Sequence, residues 1–293
     1  MTFIRRKIDL TFQLGTGSFG LMGYNVVTLS GLRVQCSILK TNGPSLGEAH
    51  LRVYGLTPSL LNELSALNQA DMAARQNRII VKAGDEKMGM ATVFEGQVAV
   101  SQVDMGSAPE VALNVQAFAG QLFALKTDDP VSYPGSADAA VILANLAQKM
   151  GMTFENNGVS VQLATPYYAG SLMEQARRCA EDAGVELFID DSEPGKNTLA
   201  IWPRGGKRGG LIPLISPETG LVGYPGYSSG TMGGITVKSV FNPNLRIGGL
   251  ARVQSDLHVA NGQWQIFDLS HDLDSEMPGG MWFTHFNGSP YGQ

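Results

Sequence analysis

Gly15-Thr16-Gly17-Ser18-Phe19-Gly20 has the G-x-G-x-x-G spacing of a loop whose backbone amides can approach a phosphate. It follows a strand-like segment, but its surroundings do not suit nucleotide chemistry. Met22 stands where a kinase-type loop carries Val, and neither H-R-D nor D-F-G occurs in the chain. A dinucleotide site needs a helix directly afterwards, and 21–29 does not pattern as one. The expectation is a turn between two strands. Arg204-Gly205-Gly206-Lys207-Arg208-Gly209-Gly210 is basic and glycine-rich, yet it lacks the G-x-x-x-x-G-K-[ST] spacing. It reads as a solvated loop or as a contact to an acidic neighbouring subunit.

Two groups of acids could imitate a metal site or an acid pair: Asp190, Asp191 and Glu193, and then Asp268, Asp272, Asp274 and Glu276. Neither has calcium-loop spacing. His258, His271 and His285 do not form H-E-x-x-H. Ser270, His271 and Asp272 contain the residue types of a hydrolytic triad, but neighbours along a strand point to opposite faces. Cys36 and Cys179 are too few for a disulfide framework or a zinc site, which suits synthesis in a reducing cytosol. The reading therefore assigns no catalytic, cofactor-binding or metal-ligating residue, and no cofactor. Trp264, Trp282, Phe267, Phe283 and Phe286 form an aromatic cluster near the C-terminus, expected as barrel core plus an interface that is partly intermolecular.

Composition narrows the function classes further. Hydrophobic residues are 43% of the 293 and charged residues 16%, which excludes charge-driven disorder. The net charge of -5 argues against a nucleic-acid clamp, which needs a basic face. No apolar run reaches the ~18 residues of a membrane span, and the Arg5-Arg6-Lys7 start is followed by an alternating segment and not by a signal-peptide core. A chain of this length is expected to form two or three domains.

The elements that must position these residues are mostly strands. Segment 7–14 alternates, with Ile8, Leu10, Phe12 and Leu14 on one face. Further strands are expected at 24–29, 32–39, 49–54, 78–82, 91–103 and 111–118. Thr57-Pro58 starts a helix with Leu60, Leu61, Leu64 and Leu67 as its stripe. Ser136 is expected to cap a helix with Ala140, Val141, Ala144, Ala147 and Met150 inward, and Gly151 to end it. Ser171 and Glu174 have capping-box spacing for a second helix that Gly184 stops. Strands at 159–163, 185–189 and 199–202 surround these helices. Residues 204–234 read as a long Gly/Pro-rich connection. Strands then return at 235–241, 245–247, 251–254, 257–260, 264–273 and 281–286, with Asn261-Gly262 as a two-residue hairpin turn.

This ordered set resembles a known family. Asn261-Gly262-Gln263-Trp264, then Leu269-Ser270-His271-Asp272-Leu273-Asp274, then Gly279-Gly280-Met281-Trp282-Phe283-Thr284 resemble the close of phage tail hub proteins. Phe241-Asn242-Pro243 through Arg246-Ile247-Gly248 resemble the strand and turn before it. Tyr168-Ala169-Gly170-Ser171, Ala183-Gly184-Val185 and Leu199-Ala200-Ile201-Trp202-Pro203 resemble the small middle module. Val81-Lys82-Ala83-Gly84 and Val93-Phe94-Glu95-Gly96 fit the first β domain.

The family is the baseplate hub of contractile-tailed bacteriophages, related to the base of type VI secretion spikes. The resemblance implies a mainly β fold with an α+β insert: two tube-like β-barrel domains flanking a small α+β module. The expected divisions are 1–127, 128–203, the connection 204–234, and 235–293. It implies a non-enzymatic homotrimer in the virion tail baseplate, made in the host cytoplasm. Its trimeric ring would adapt the hexameric tail tube to the central spike protein. Other baseplate proteins are expected as partners, with the tape measure protein as a further candidate. No membrane is expected, and DNA only in passage through an acidic lumen. The chain stops at Gln293 without a lysozyme-like or β-helical part, so a puncturing or wall-degrading domain is expected on another chain. The alternatives are a cell-wall-degrading tail hydrolase and a secretion-system spike base.

Overall fold

The computed structural model describes residues 5–20, 23–42, 46–106, 108–192, 197–228 and 233–292. Met22, Glu193 and part of the 204–234 connection lie outside the described residues. The chain is mainly β, as the pattern implies, and separates into two compact units. The first comprises 1–39, 47–119 and 270–283, and the second 40–46, 120–269 and 284–293. Among the described residues no helix is long and apolar enough to cross a membrane.

The first unit is a run of antiparallel strands: β1 (Arg6–Gln13), β2 (Val26–Leu29), β3 (Val34–Thr41), β4 (Glu48–Tyr54), β5 (Arg78–Asp85), β6 (Gly89–Asp104) and β7 (Ala112–Phe118). Their order is β3-β4-β7-β6-β5-β1-β2. β1 pairs with β5 along its whole length, from Arg6 opposite Asp85 to Gln13 opposite Arg78. Ile8, Leu10 and Phe12 fill the core and the residues between them face outward, as period-2 alternation requires.

Helices α1 (Pro58–Leu64) and α2 (Gln69–Arg75) lie between β4 and β5 in the chain. Thr57 caps α1 by accepting from the Leu60 amide, and Leu61 and Leu64 are buried. Leu67 lies beyond the helix and is 94% exposed, so it is not part of the stripe. α2 has no long apolar periodicity. It forms because Asn68 accepts from the Asp71 amide at 2.9 Å and Met72 is buried.

The second unit begins with α3 (Gln121–Leu125), β8 (Thr127–Ser132), β9 (Ser136–Asp138) and α4 (Ala139–Lys149). Asp138, and not Ser136, caps α4, accepting from the Ala140 amide at 2.8 Å. Ser136 belongs to β9. The buried stripe holds the expected Ala140, Ala147 and Met150 together with Ile142, Leu143 and Leu146, whereas Val141 is 54% exposed. There follow β10 (Thr153–Asn156), β11 (Gln162–Ala164), β12 (Tyr167–Ser171), α5 (Leu172–Ala183), β13 (Val185–Asp190) and β14 (Thr198–Pro203).

α5 has the expected capping box, with Ser171 Oγ accepting from the Glu174 amide and Glu174 accepting from the Ser171 amide at 2.9 Å. Gly184 ends it in the left-handed conformation. Ser171 is buried, so water cannot replace its hydroxyl. Ser171→Ala is expected to cost about 1 kcal/mol, read as a lower urea midpoint with an unchanged slope.

Strands β10, β14 and β13 form a small sheet, of which β13 and β14 are buried on both faces. Leu187, Leu199 and Ile201 pack with Ile142, Leu146 and Cys179 of the helices. Phe188, Ala200 and Trp202, on the other face, pack with Ile247, Trp264, Ile266 and Phe286. This accounts for the unbroken apolar run Leu199–Trp202, since a doubly covered strand loses its polar alternation.

The remaining strands are β15 (Leu214–Ile215), β16 (Gly226–Ser228), β17 (Gly234–Val240), β18 (Leu250–Val253), β19 (Gly262–Ser275) and β20 (Trp282–Pro290). The Asn261-Gly262 hairpin is not formed. β18 and β19 pair from Leu250 opposite Gln265 to Val253 opposite Gly262, and a longer loop with a 3-10 turn at His258–Ala260 joins them. Asn261 closes that loop, binding the Ser255 amide at 2.7 Å and its carbonyl at 3.0 Å. Segment 257–260 is therefore a turn, and 245–247 is irregular rather than a strand.

Candidate functional site

The candidate phosphate loop is a turn. The Gly15 amide donates to Asn77 Oδ1 at 3.2 Å, and the Gly20 amide to Glu63 Oε1 at 3.3 Å. A carboxylate thus occupies one amide that a phosphate would need, and a strand, β2, follows where the dinucleotide fold needs a helix.

The triad residue types do not converge. His271 is buried, while Ser270 and Asp272 lie on the opposite face of β19. Ser37 donates to Asp272 at 2.9 Å, the Met281 amide to Asp274 at 2.8 Å, and Arg5 pairs with Glu276 at 2.7 Å. Among the described residues no group of three His, Cys, Asp or Glu is arranged to hold a metal. Burial beside Asp272 and Asp274 pushes the Cys36 thiol far above its ordinary value, and burial pushes Cys179 up to about 12. Both remain protonated and poorly nucleophilic.

The basic glycine turn corrects the sequence reading at one residue. Arg204, Gly205, Lys207, Gly209 and Gly210 are exposed, as in a solvated loop, but Arg208 is not. Its side chain is fully buried and makes ion pairs with Glu155 at 2.7 Å and Asp190 at 2.9 Å. Its amide donates to the Gly248 carbonyl at 2.8 Å. Arg246 reaches the same two acids at 3.1 and 3.4 Å, and Lys40 pairs with Asp191 next to them. The acidic partner of the turn therefore belongs to its own chain. Residue spacing could not reveal this, because Glu155, Asp190 and Arg208 come from β10, the end of β13 and the connection.

These charges border a hollow of about 250 Å³ lined by Glu155, Asp190, Ser192, Thr198, Leu211 and Arg246. Burial alone would raise both carboxyl groups. Hydrogen bonds from Arg208 and Asn157 outweigh it for Glu155, and the charges of Arg208 and Lys40 outweigh it for Asp190. Both acids are held below the usual carboxylate range. A general acid needs the opposite shift, so the pair suits a structural clamp. In the first unit, a hollow of about 430 Å³ is lined by Gln35, Ser37, His50, Arg52, Gln116 and Asp272, among others. Ser37 and Asp272 bond each other across it, as do Arg52 and Asp104 beside it.

Large apolar residues stand exposed at strand edges. Tyr24 and Val26 flank or begin β2, and Tyr224 and Tyr227 flank or lie in β16, 73% of Tyr227 being exposed. Trp264, Trp282 and Phe286 are core residues, whereas Phe267 is 38% exposed. Among the described residues the surface thus shows exposed apolar residues at strand edges and no convergent reactive groups.

No curated protein sequence gives a significant match. Solved structures share the fold at low identity. The E. coli c3393 protein is a type VI secretion component described as similar to the T4 tail proteins gp27 and gp5. It matches at 11% identity over 96% of this chain and 77% of its own, with a TM-score of 0.63. A tail protein from Neisseria meningitidis matches at 9% identity over 97% of this chain and 96% of its own, at 0.63. The 43 kDa tail protein of prophage MuSo2 from Shewanella oneidensis matches at 11% over 96% of both chains, at 0.59. A family model, Baseplate hub gp41, covers residues 8–279, and the chain belongs to that family of structural phage baseplate hubs.

Proposed function

We propose that this hub protein assembles as a homotrimeric ring at the end of the tail tube, without enzymatic activity. Each copy brings two tube-like β domains, 1–127 and 235–293, with the module 128–203 and the connection 204–234 between them in the chain. Three copies present six such domains to a hexameric tail tube protein, and the other end of the ring seats the central spike protein. Other baseplate proteins surround it, the tape measure protein is a further contact, and DNA passes through the lumen without being held. The chain is made in the host cytoplasm and functions in the virion.

The observation that supports this reading most is the family itself, a baseplate hub whose model covers residues 8–279 of a mainly β chain. A head-to-tail contact that closes after three copies requires only complementary surfaces. Charge depletion supports the same reading, since covered interface cores are poor in charge.

The purified chain is expected to have the mass of a trimer in solution and to release no product from purified cell wall. A monomer that clears cell wall would replace this reading with that of a tail hydrolase. A tag on the chain, located in images of purified particles, is expected at the tube–spike junction.

A further inference from the structure

We propose that the α+β module 128–203 and the C-terminal strands behave as one cooperative body, with the connection between them acting as a strap and not as a hinge. The C-terminal part concerned is β17, β18 and residues 262–269 and 284–290, which share the second unit with the module. This goes beyond the ring reading and does not rest on it.

The backbone of the connection supplies the first reason. A hinge needs residues free to change φ and ψ, and a long connection is the usual place for them. Here the described part of the connection is bonded to the C-terminal strands at short intervals. The Arg208 amide donates to the Gly248 carbonyl at 2.8 Å. The Arg252 amide donates to the Pro213 carbonyl at 2.9 Å and the Gln254 amide to the Ile215 carbonyl at 3.0 Å, as β15 lies parallel to β18. The Val222 amide donates to the Lys238 carbonyl and the Val240 amide to the Gly220 carbonyl, both at 2.8 Å, and β16 pairs with β17. The same segment is tied to the module near its start. The Gly209 amide donates to Asn157 Oδ1 at 2.8 Å, and Arg208 joins Glu155 and Asp190.

The core supplies the second reason. Leu199 and Ile201 of β14 belong to the cluster that packs on the helices, while Ala200 and Trp202 belong to the cluster with Ile215, Ile247, Ile266 and Phe286. Successive residues of a strand point to opposite faces, so β14 cannot leave one cluster without leaving the other. Parting the module from the C-terminal strands would bare Trp202, which is fully buried, and the apolar residues that face it.

A distant stretch of chain crosses the same seam and supplies the third reason. Lys40 pairs with Asp191, and Asn42 Nδ2 donates to Glu186 Oε2 at 2.9 Å, both acids belonging to the module. The Asn42 amide donates to the Phe267 carbonyl of β19 at 2.9 Å. Two straps from separate parts of the sequence therefore hold one seam.

Amide hydrogen exchange of the full-length chain in increasing urea, below its unfolding transition, tests this. The amides followed are Cys179 and Ile201 in the module, Arg208 and Val222 in the connection, and Ile266 in β19. Cys179, Ile201 and Ile266 are expected to have protection factors within about threefold of each other and one urea slope. Arg208 and Val222 are expected to be protected as well. Arg208→Ala is expected to speed exchange of Cys179 and Ile266 by the same factor, on the order of a hundredfold. Gln265→Ala, which removes only a hydrogen bond to the Gly206 carbonyl, is the milder variant and is expected to speed both equally by a smaller factor. Module amides that open at least about tenfold more often than Ile266, with a shallower urea slope, overturn the single body. So does a variant that speeds exchange on one side of the seam alone. Unprotected Arg208 and Val222 amides between protected flanks overturn the strap and restore the hinge. All these amides lie within one copy, so the result does not depend on whether copies close into a ring.

Discussion

Replacing Arg208 by alanine is expected to destabilise the chain by about 3 kcal/mol, because removing one member of a buried ion network leaves its partners uncompensated. Arg208 has no exposed side-chain surface and is the shared partner of Glu155 and Asp190. Arg246 remains nearby but is partly exposed and farther from both acids, so it offsets only part of the loss. The measurement is the urea midpoint at neutral pH.

The pH dependence follows from the direction of the shifts. Glu155 and Asp190 are both depressed in the folded state. Their contribution is complete above the unfolded carboxylate value of ~4, and it is lost as pH falls toward the folded values. Wild-type stability is therefore expected to hold from pH 8 to about 5 and to fall below about 4. In Arg208→Ala both acids are less depressed, so less stability is left to lose below about pH 4 and the variant curve is flatter. Parallel wild-type and variant curves, separated by less than about 1 kcal/mol, would show that the network contributes no more than a surface pair.

Gly248→Ala is expected to have a comparable effect for a steric reason. Gly248 has φ +76°, and an added Cβ would lie 2.5 to 2.8 Å from three atoms of the Trp202 indole. Trp202 is fully buried and cannot move aside without disturbing Phe188, Ala200 and Trp264 in the same cluster. Overpacking costs ~1–3 kcal/mol and the left-handed backbone ~1 kcal/mol more, which together give about 3 kcal/mol. Gly205→Ala separates the two terms. Gly205 has φ +75° with nothing within 4 Å of the added carbon, so only the backbone cost of about 1 kcal/mol is expected there. Equal losses at the two positions would remove the steric explanation. Trp202→Phe, which shortens the obstructing ring, is expected to recover part of the loss in the Gly248→Ala background.

These two positions differ in how legible they were. Gly248 and Trp202 both fall within segments that resemble the hub family, but nothing in the sequence places one against the other. Arg208 stands in a conspicuous basic turn that reads as solvated or as a contact to an acidic neighbouring subunit, because spacing does not connect it with Glu155 and Asp190 on other elements. The Asn261-Gly262 pair shows the same limit. Its dipeptide favours a tight hairpin, yet the Asn261 side chain is used to close a longer loop onto Ser255. α2 leaves almost no trace in the sequence, because a seven-residue helix held by one cap and one buried Met carries almost no periodicity.

Properties set by neighbours in the chain were decided locally. The alternation of Ile8, Leu10 and Phe12 marks β1, Ser171 and Glu174 start α5, and Gly184 stops it, because strand pleat and helix caps act over two to four residues. The order of β strands, α+β module and β strands, and with it the family, could be read from that local record. Partner choice could not. Which acids Arg208 meets, which glycine lies under Trp202, and which strand edge is left open depend on packing between residues far apart in sequence, and only the tertiary structure brings them together.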